Sequence, residues 1–202
     1  MKFNFPFFVV TTLLISLNAY AEDHALKSGV YEQLKLAVSS SGEVTGYYAD
    51  SMGDNASQTC IFTLHGSRQS VGEATISAHS AQDYPGKLSG TDSGVMLTLP
   101  QGQQQPGCMN LLPPDVATGI EFTRGLETQW QTLAQAAAEK VYLHKSPAAD
   151  GGKKVWIIKN DVVGIIAKKE NWSQVQFVND NGKSTIGWVE TSQLKTLTAA
   201  VR

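Results

Sequence analysis

Two cysteines, four histidines and a scatter of carboxylates are the residues of this 202-residue chain with the means to do chemistry. Cys60 and Cys108 do not form a CxxC motif. In an exported chain, two cysteines outside any redox or metal motif pair as one disulfide. A catalytic thiol would need a neighbouring base and a depressed pKa. Cys108 instead sits in Gln105-Pro106-Gly107-Cys108-Met109-Asn110, a turn-forming context. His24, His65, His79 and His144 are dispersed and no HExxH run occurs, so no metal site is expected. His65 is expected on the solvent face of its strand. Thr91-Asp92-Ser93-Gly94 has the residue types of a serine nucleophile. It has equally those of a hairpin turn. A triad would also need a histidine and a carboxylate brought to Ser93 in space. There is no Gly-rich phosphate loop. The chain therefore reads as a non-enzymatic binding protein without a cofactor.

The ends and the charge narrow this further. Lys2 precedes an apolar run from Phe3 to Leu17, and Ala19-Tyr20-Ala21 follows. That is the three-part pattern of a secretory signal peptide, cleaved after Ala21. The run is short for a bilayer span of about 20 residues. The expected product is a periplasmic protein of residues 22–202 with no membrane anchor. Net charge is −2 overall, which argues against nucleic acid as a partner. Its distribution is uneven. Residues 22–138 hold 5 Lys+Arg against 12 Asp+Glu, and residues 139–202 hold 10 against 6. Opposite signs in the two halves predict two domains that meet different partners or attract each other.

The elements follow from periodicity. In residues 22–125, Leu34, Leu36 and Val38 alternate with polar neighbours, as do Cys60, Phe62 and Leu64, then Ala74, Ile76 and Ala78, then Val95, Leu97 and Leu99. Period-2 runs with frequent turns predict an antiparallel β sandwich or barrel. Residues 126–138 lack Gly after Gly125 and lack Pro, and Leu126, Trp130, Leu133 and Ala137 fall on one helical stripe. This predicts a short helix or helical linker, with Trp130 packed at the junction. Residues 139–202 again read as short strands, at Val155–Lys159, Val162–Ala167, Asn171–Phe177 and Thr185–Val189. Asn160-Asp161 and Asn179 to Gly182 form the turns between them.

This last region resembles the bacterial SH3-like (SH3b) domains. The elements that carry the resemblance come in order: Tyr142 and Pro147, Ile158-Lys159-Asn160-Asp161, Trp172-Ser173-Gln174-Val175 and Gly187-Trp188-Val189. Asn160 stands where the family usually has Gly, and Asn tolerates the left-handed conformation such a turn needs. The resemblance implies an SH3-like barrel that binds cell-wall peptidoglycan, or a wall-associated periplasmic protein. Residue chemistry adds an expected ligand groove lined by Tyr142, Trp156 and Trp188, and burial habits place Trp172 and Val175 in the core. The alternative is an inhibitor or immunity protein whose acidic first domain blocks a toxin or a wall hydrolase.

Overall fold

A computed structural model describes residues 24–54, 57–148 and 155–197. The expected signal segment, residues 1–21, lies outside the described residues. The described chain is mainly β, with no long helix.

Nine strands form one antiparallel sheet that curls strongly. They are β1 (Gly29–Tyr31), β2 (Leu34–Val38), β3 (Glu43–Met52), β4 (Gln58–Ser70), β5 (Glu73–His79), β6 (Asp83–Gly90), β7 (Gly94–Thr98), β8 (Ile120–Thr123) and β9 (Leu126–Glu127). Sequential neighbours pair throughout from β1 to β8, and β9 pairs with β1. One run of chain, 120–127, therefore bonds β7 through its first half and β1 through its second.

The alternating faces are those read from the sequence. Leu34, Leu36, Cys60, Phe62, Leu64, Ala74, Ile76, Ala78, Val95, Leu97 and Leu99 share one buried core. Tyr48 stacks on Phe62 across β3 and β4 at 4.7 Å between ring centroids. Such pairing adds specific aromatic attraction to the area buried. Gly86 lets β6 cross the core closely: a β-carbon there would stand 2.3 Å from Leu99.

The helical reading of residues 126–138 is corrected. The segment is extended: β9 closes onto the first sheet, and β10 (Thr132–Ala136) lies inside a second. That sheet runs β15-β14-β13-β10-β16, with β13 (Val162–Lys169), β14 (Trp172–Val178), β15 (Ser184–Glu190) and β16 (Leu194–Thr196). A hairpin of β11 (Lys140–Leu143) and β12 (Val155–Ile158) completes it, tied to β15 by the bridge His144↔Trp188. Extended chain wins at 132–136 because each flank offers a ladder, to β13 on one side and β16 on the other. The second sheet thus starts at Thr132, seven residues before Glu139.

β10 serves two cores. Ala134 and Ala136 face the core of the second unit, with Val141, Leu143, Ile157, Val175 and Val189. Leu133 faces the other way, into a cluster with Ala37, Trp130, Val162, Val178 and Leu197 that joins the two units. Trp130 lies at this junction as expected, 1% exposed. Its ring covers Gly164, where a β-carbon would stand 2.1 Å from ring atoms, and its Nε1 donates to Gln176 Oε1 at 2.8 Å.

Candidate binding surface

The outward residues of the second unit follow from its buried ones. Val141 and Leu143 face the core, so Tyr142 and His144 lie on the opposite face, where His144 is itself covered. By the same alternation Ser173 and Val175 turn Trp172 outward, Gly187 and Val189 turn Trp188 outward, and Ile157 turns Trp156 outward. The four strands β12, β11, β15 and β14 are joined in that order by ladder and bridge. Their outer face collects Trp156, Tyr142, Trp188 and Trp172.

Tyr142 and Trp156 are direct cross-strand partners. Lys140 lays its ammonium 3.8 Å from the centroid of the Trp156 ring and 5.1 Å from that of Tyr142. This is cation–π geometry, in which the ring face attracts the cation. Trp156 is 50% exposed, and Tyr142 and Trp188 are half-buried. Trp188 shares two main-chain hydrogen bonds with His144, each 2.8 Å. The His144 ring meets Trp172 edge-on at 5.2 Å between centroids. His144 is buried, and its Nδ1 has no hydrogen-bond partner. A cleft of about 500 Å³ opens beside Trp172, lined also by Glu170, Asn171 and Glu190. The three residues expected to contact a ligand thus lie on one face.

Trp172 corrects an expectation. It is half-buried on the outer face and not a core residue, while Val175 is core as expected. Sequence reasoning also missed Lys140 and His144, whose roles depend on strand pairing. Asn160 takes φ +71°, the left-handed conformation the turn demands.

The remaining candidates make the following contacts. Cys60 and Cys108 form a buried disulfide, which fits an oxidising compartment. It ties the loop after β7 to β4. Ser93 Oγ donates to the Glu121 carboxylate, as does Thr91 Oγ1. These hydroxyls hold the Glu121 carboxyl below its ordinary range. Asp92 pairs with His24 at 2.9 Å. The residues of the Asp-Ser-Gly run thus organise a hairpin turn. His65 is half-buried on the outside of β4; burial, then the neighbouring His79, lowers its imidazole pKa.

The pattern Trp-Ser-Gln-Val on β14 and Gly-Trp-Val on β15 lies on adjacent antiparallel strands. Comparison with protein-family models, with curated proteins and with solved structures finds no match to this chain.

Proposed function

We propose that the protein is an exported, non-enzymatic binding protein of the periplasm. Its second unit, of the SH3b type, contacts peptidoglycan or a wall-associated protein through the outer face of β12, β11, β15 and β14. The observation that carries this reading is the convergence of Tyr142, Trp156, Trp172 and Trp188 on that one face. Indole and phenol rings offer large flat contact areas at low entropic cost, and their N–H and O–H groups add direction. Sedimentation with purified sacculi tests it. Wild-type protein pellets with the wall, and Trp188→Ala weakens this by about tenfold or more, as loss of a central aromatic does. Unchanged sedimentation of Trp188→Ala and Trp156→Ala removes this face from the function.

A second reading rests on a different feature. The first unit is acidic, and its disulfide-tied loop presents Met109 at 74% exposure. Gln103 Nε2 braces that loop by donating to the carbonyls of Met109 and Leu112. A rigid apolar tip on an acidic body suits an inhibitor or immunity protein that enters a basic cleft. One stoichiometric protein partner, lost on Met109→Asp, distinguishes it from wall binding.

A further inference from the structure

The β11–β12 hairpin holds a feature that aromatic contact alone does not use. Ile158 spends its main chain on its own turn: its N–H donates to Asp161 Oδ2 at 2.8 Å, and its carbonyl accepts from the Asp161 N–H at 3.0 Å. The pair Lys140↔Ile158 is therefore one of the non-hydrogen-bonded pairs of the ladder. Antiparallel pairs alternate in type, so Tyr142↔Trp156 is non-hydrogen-bonded as well. The N–H and C=O of Trp156 then point away from β11. Among the described residues β12 has no second neighbour, and no other main-chain group bonds Trp156.

Among the described residues a donor and an acceptor thus stand side by side on an unpaired edge, beside a half-exposed indole. Lys140 sits over that indole with no carboxylate in ion-pair reach among the described residues. Its neighbour Lys159 is by contrast paired with Glu139 at 2.8 Å. The sequence from 139 to 202 is basic as a whole, with 10 Lys+Arg against 6 Asp+Glu.

We propose that β12 accepts an extended acidic peptide as an added strand. Peptide main chain pairs with the Trp156 N–H and C=O, a side chain lies on the indole, and a carboxylate of the peptide meets Lys140. Strand addition derives affinity from main-chain bonds and selectivity from alternate side chains. A charge-assisted bond to Lys140 supplies the selection for acid over amide. A second copy of this chain does not suit the edge. β12 is four residues long and offers one free main-chain pair, far short of the roughly 1,000 Å² that a stable interface buries. Pairing two such edges would also bring two Lys140 ammonium groups together. The proposal rests on the aromatic face being the binding surface, and it adds the chemistry of the ligand.

The test uses the isotopically labelled full chain and three synthetic probes. These are acetyl-Ala-Glu-Ala-Glu-Ala-amide, its Gln counterpart, and the acidic peptide with central amides replaced by esters. The expected result is that the acidic peptide shifts the Trp156 amide and indole resonances. The Gln peptide binds roughly fivefold more weakly, as loss of a charge-assisted bond implies. The ester peptide, lacking the N–H donors, binds more weakly as well. Lys140→Gln abolishes the preference for acid and Lys140→Arg keeps it. Both variants change an exposed side chain, and an unchanged spectrum elsewhere verifies their fold. Equal binding of acid and amide overturns the proposal. So does an unmoved Trp156 amide, or absence of any shift at millimolar peptide. Sacculus sedimentation reports separately on the wall-binding reading: sacculi bound without a peptide response sinks this inference alone. A peptide response without sacculus binding removes peptidoglycan from the other reading and leaves a wall-associated protein as the partner.

Discussion

Gly164 and Trp130 occupy one another's space, and that makes their substitutions interdependent. A methyl group at Gly164 has no room under the Trp130 ring, so Gly164→Ala should cost about 1–3 kcal/mol by overpacking. Trp130→Ala should cost about 3–5 kcal/mol by leaving a cavity. In the double variant the two faults offset, so denaturant unfolding should give a loss smaller than their sum. Tyrosines give a second expectation at this scale. Burial pushes the hydroxyls of Tyr31, Tyr47 and Tyr48 above their ordinary value of 10.0, with Asp50 adding to the effect at Tyr48. A raised acid keeps its proton in the folded state after the unfolded chain has lost it. Stability is therefore full below about pH 10 and falls as pH rises beyond it. Thermal melts between about pH 8 and 11 should show this fall, and Tyr47→Phe should flatten it. Burial lowers the pKa of Lys35, which acts in the opposite sense just below its ordinary value of 10.5. The residue-level signals in the sequence were uneven. Trp130 was legible as a junction residue because an indole amid Gln and Ala must find a partner. Trp172 was misplaced, although its period-2 companions Gln174 and Gln176 are polar and those of Val175, Ser173 and Phe177, are not its own. Lys140 and His144 were invisible, since their partners come from other strands.

Among the elements, β10 departs furthest from what its residues favour alone. Ala and Gln are good helix formers, and the stripe from Leu126 to Ala137 has helical spacing. Propensity is a weak term beside two hydrogen-bonded ladders and burial on both faces. No local pattern could announce that, because the partners Val163 and Leu194 are far along the chain. The barrel expected over residues 139–202 leaves out β10, Thr132–Ala136. With β10 absent, that fragment loses the strand between β13 and β16. It should show a poorly dispersed amide spectrum, whereas the full chain disperses well. The strands with clean alternation, β4, β5 and β7, were legible because one face of each meets a single core. The Cys60–Cys108 bond belongs to this scale too, since it fixes a loop lacking a ladder of its own. Its sequence separation is 48 residues. Its removal by Cys60→Ala and Cys108→Ala should lower stability by about 3–4 kcal/mol on the chain-entropy estimate, read from denaturant midpoints.

For the molecule as a whole, the charge asymmetry pointed to two units that meet different partners or attract each other. Two units with opposite charge balance are present, yet the contact between them is made otherwise. Ala37, Trp130, Leu133, Val162, Val178 and Leu197 form an apolar cluster there. Around it, Leu133 N–H donates to Thr45 Oγ1, Ser28 Oγ donates to the Trp130 carbonyl, and Lys35 donates to the Val178 carbonyl. No ion pair crosses the junction among the described residues. Salt screens exposed charges over about 8–10 Å and leaves apolar burial intact. Raising salt to about 0.5 M should therefore leave scattering profiles and the protection of the Leu133 amide unchanged. Loosening with salt would show that long-range attraction dominates after all.

The run 120–127 has a consequence in time. β1 emerges from the ribosome early, yet its outer edge has no partner until Leu126 and Glu127 arrive about a hundred residues later. β7 waits likewise for Ile120–Thr123. Both margins of the sheet stay uncapped until one short stretch reaches both, so the seven strands β1 to β7 must be arranged before the final step can occur. Closing so long a loop carries an entropic cost that precedes its reward, and proteins dominated by such distant contacts fold slowly. Meanwhile the bare margins can pair with other chains. The rate of refolding should therefore respond to changes at Gly125 and Leu126 more than to comparable changes in the β4–β5 hairpin. The vulnerable interval in the life of this protein is the one before its last strand of the first unit is laid down.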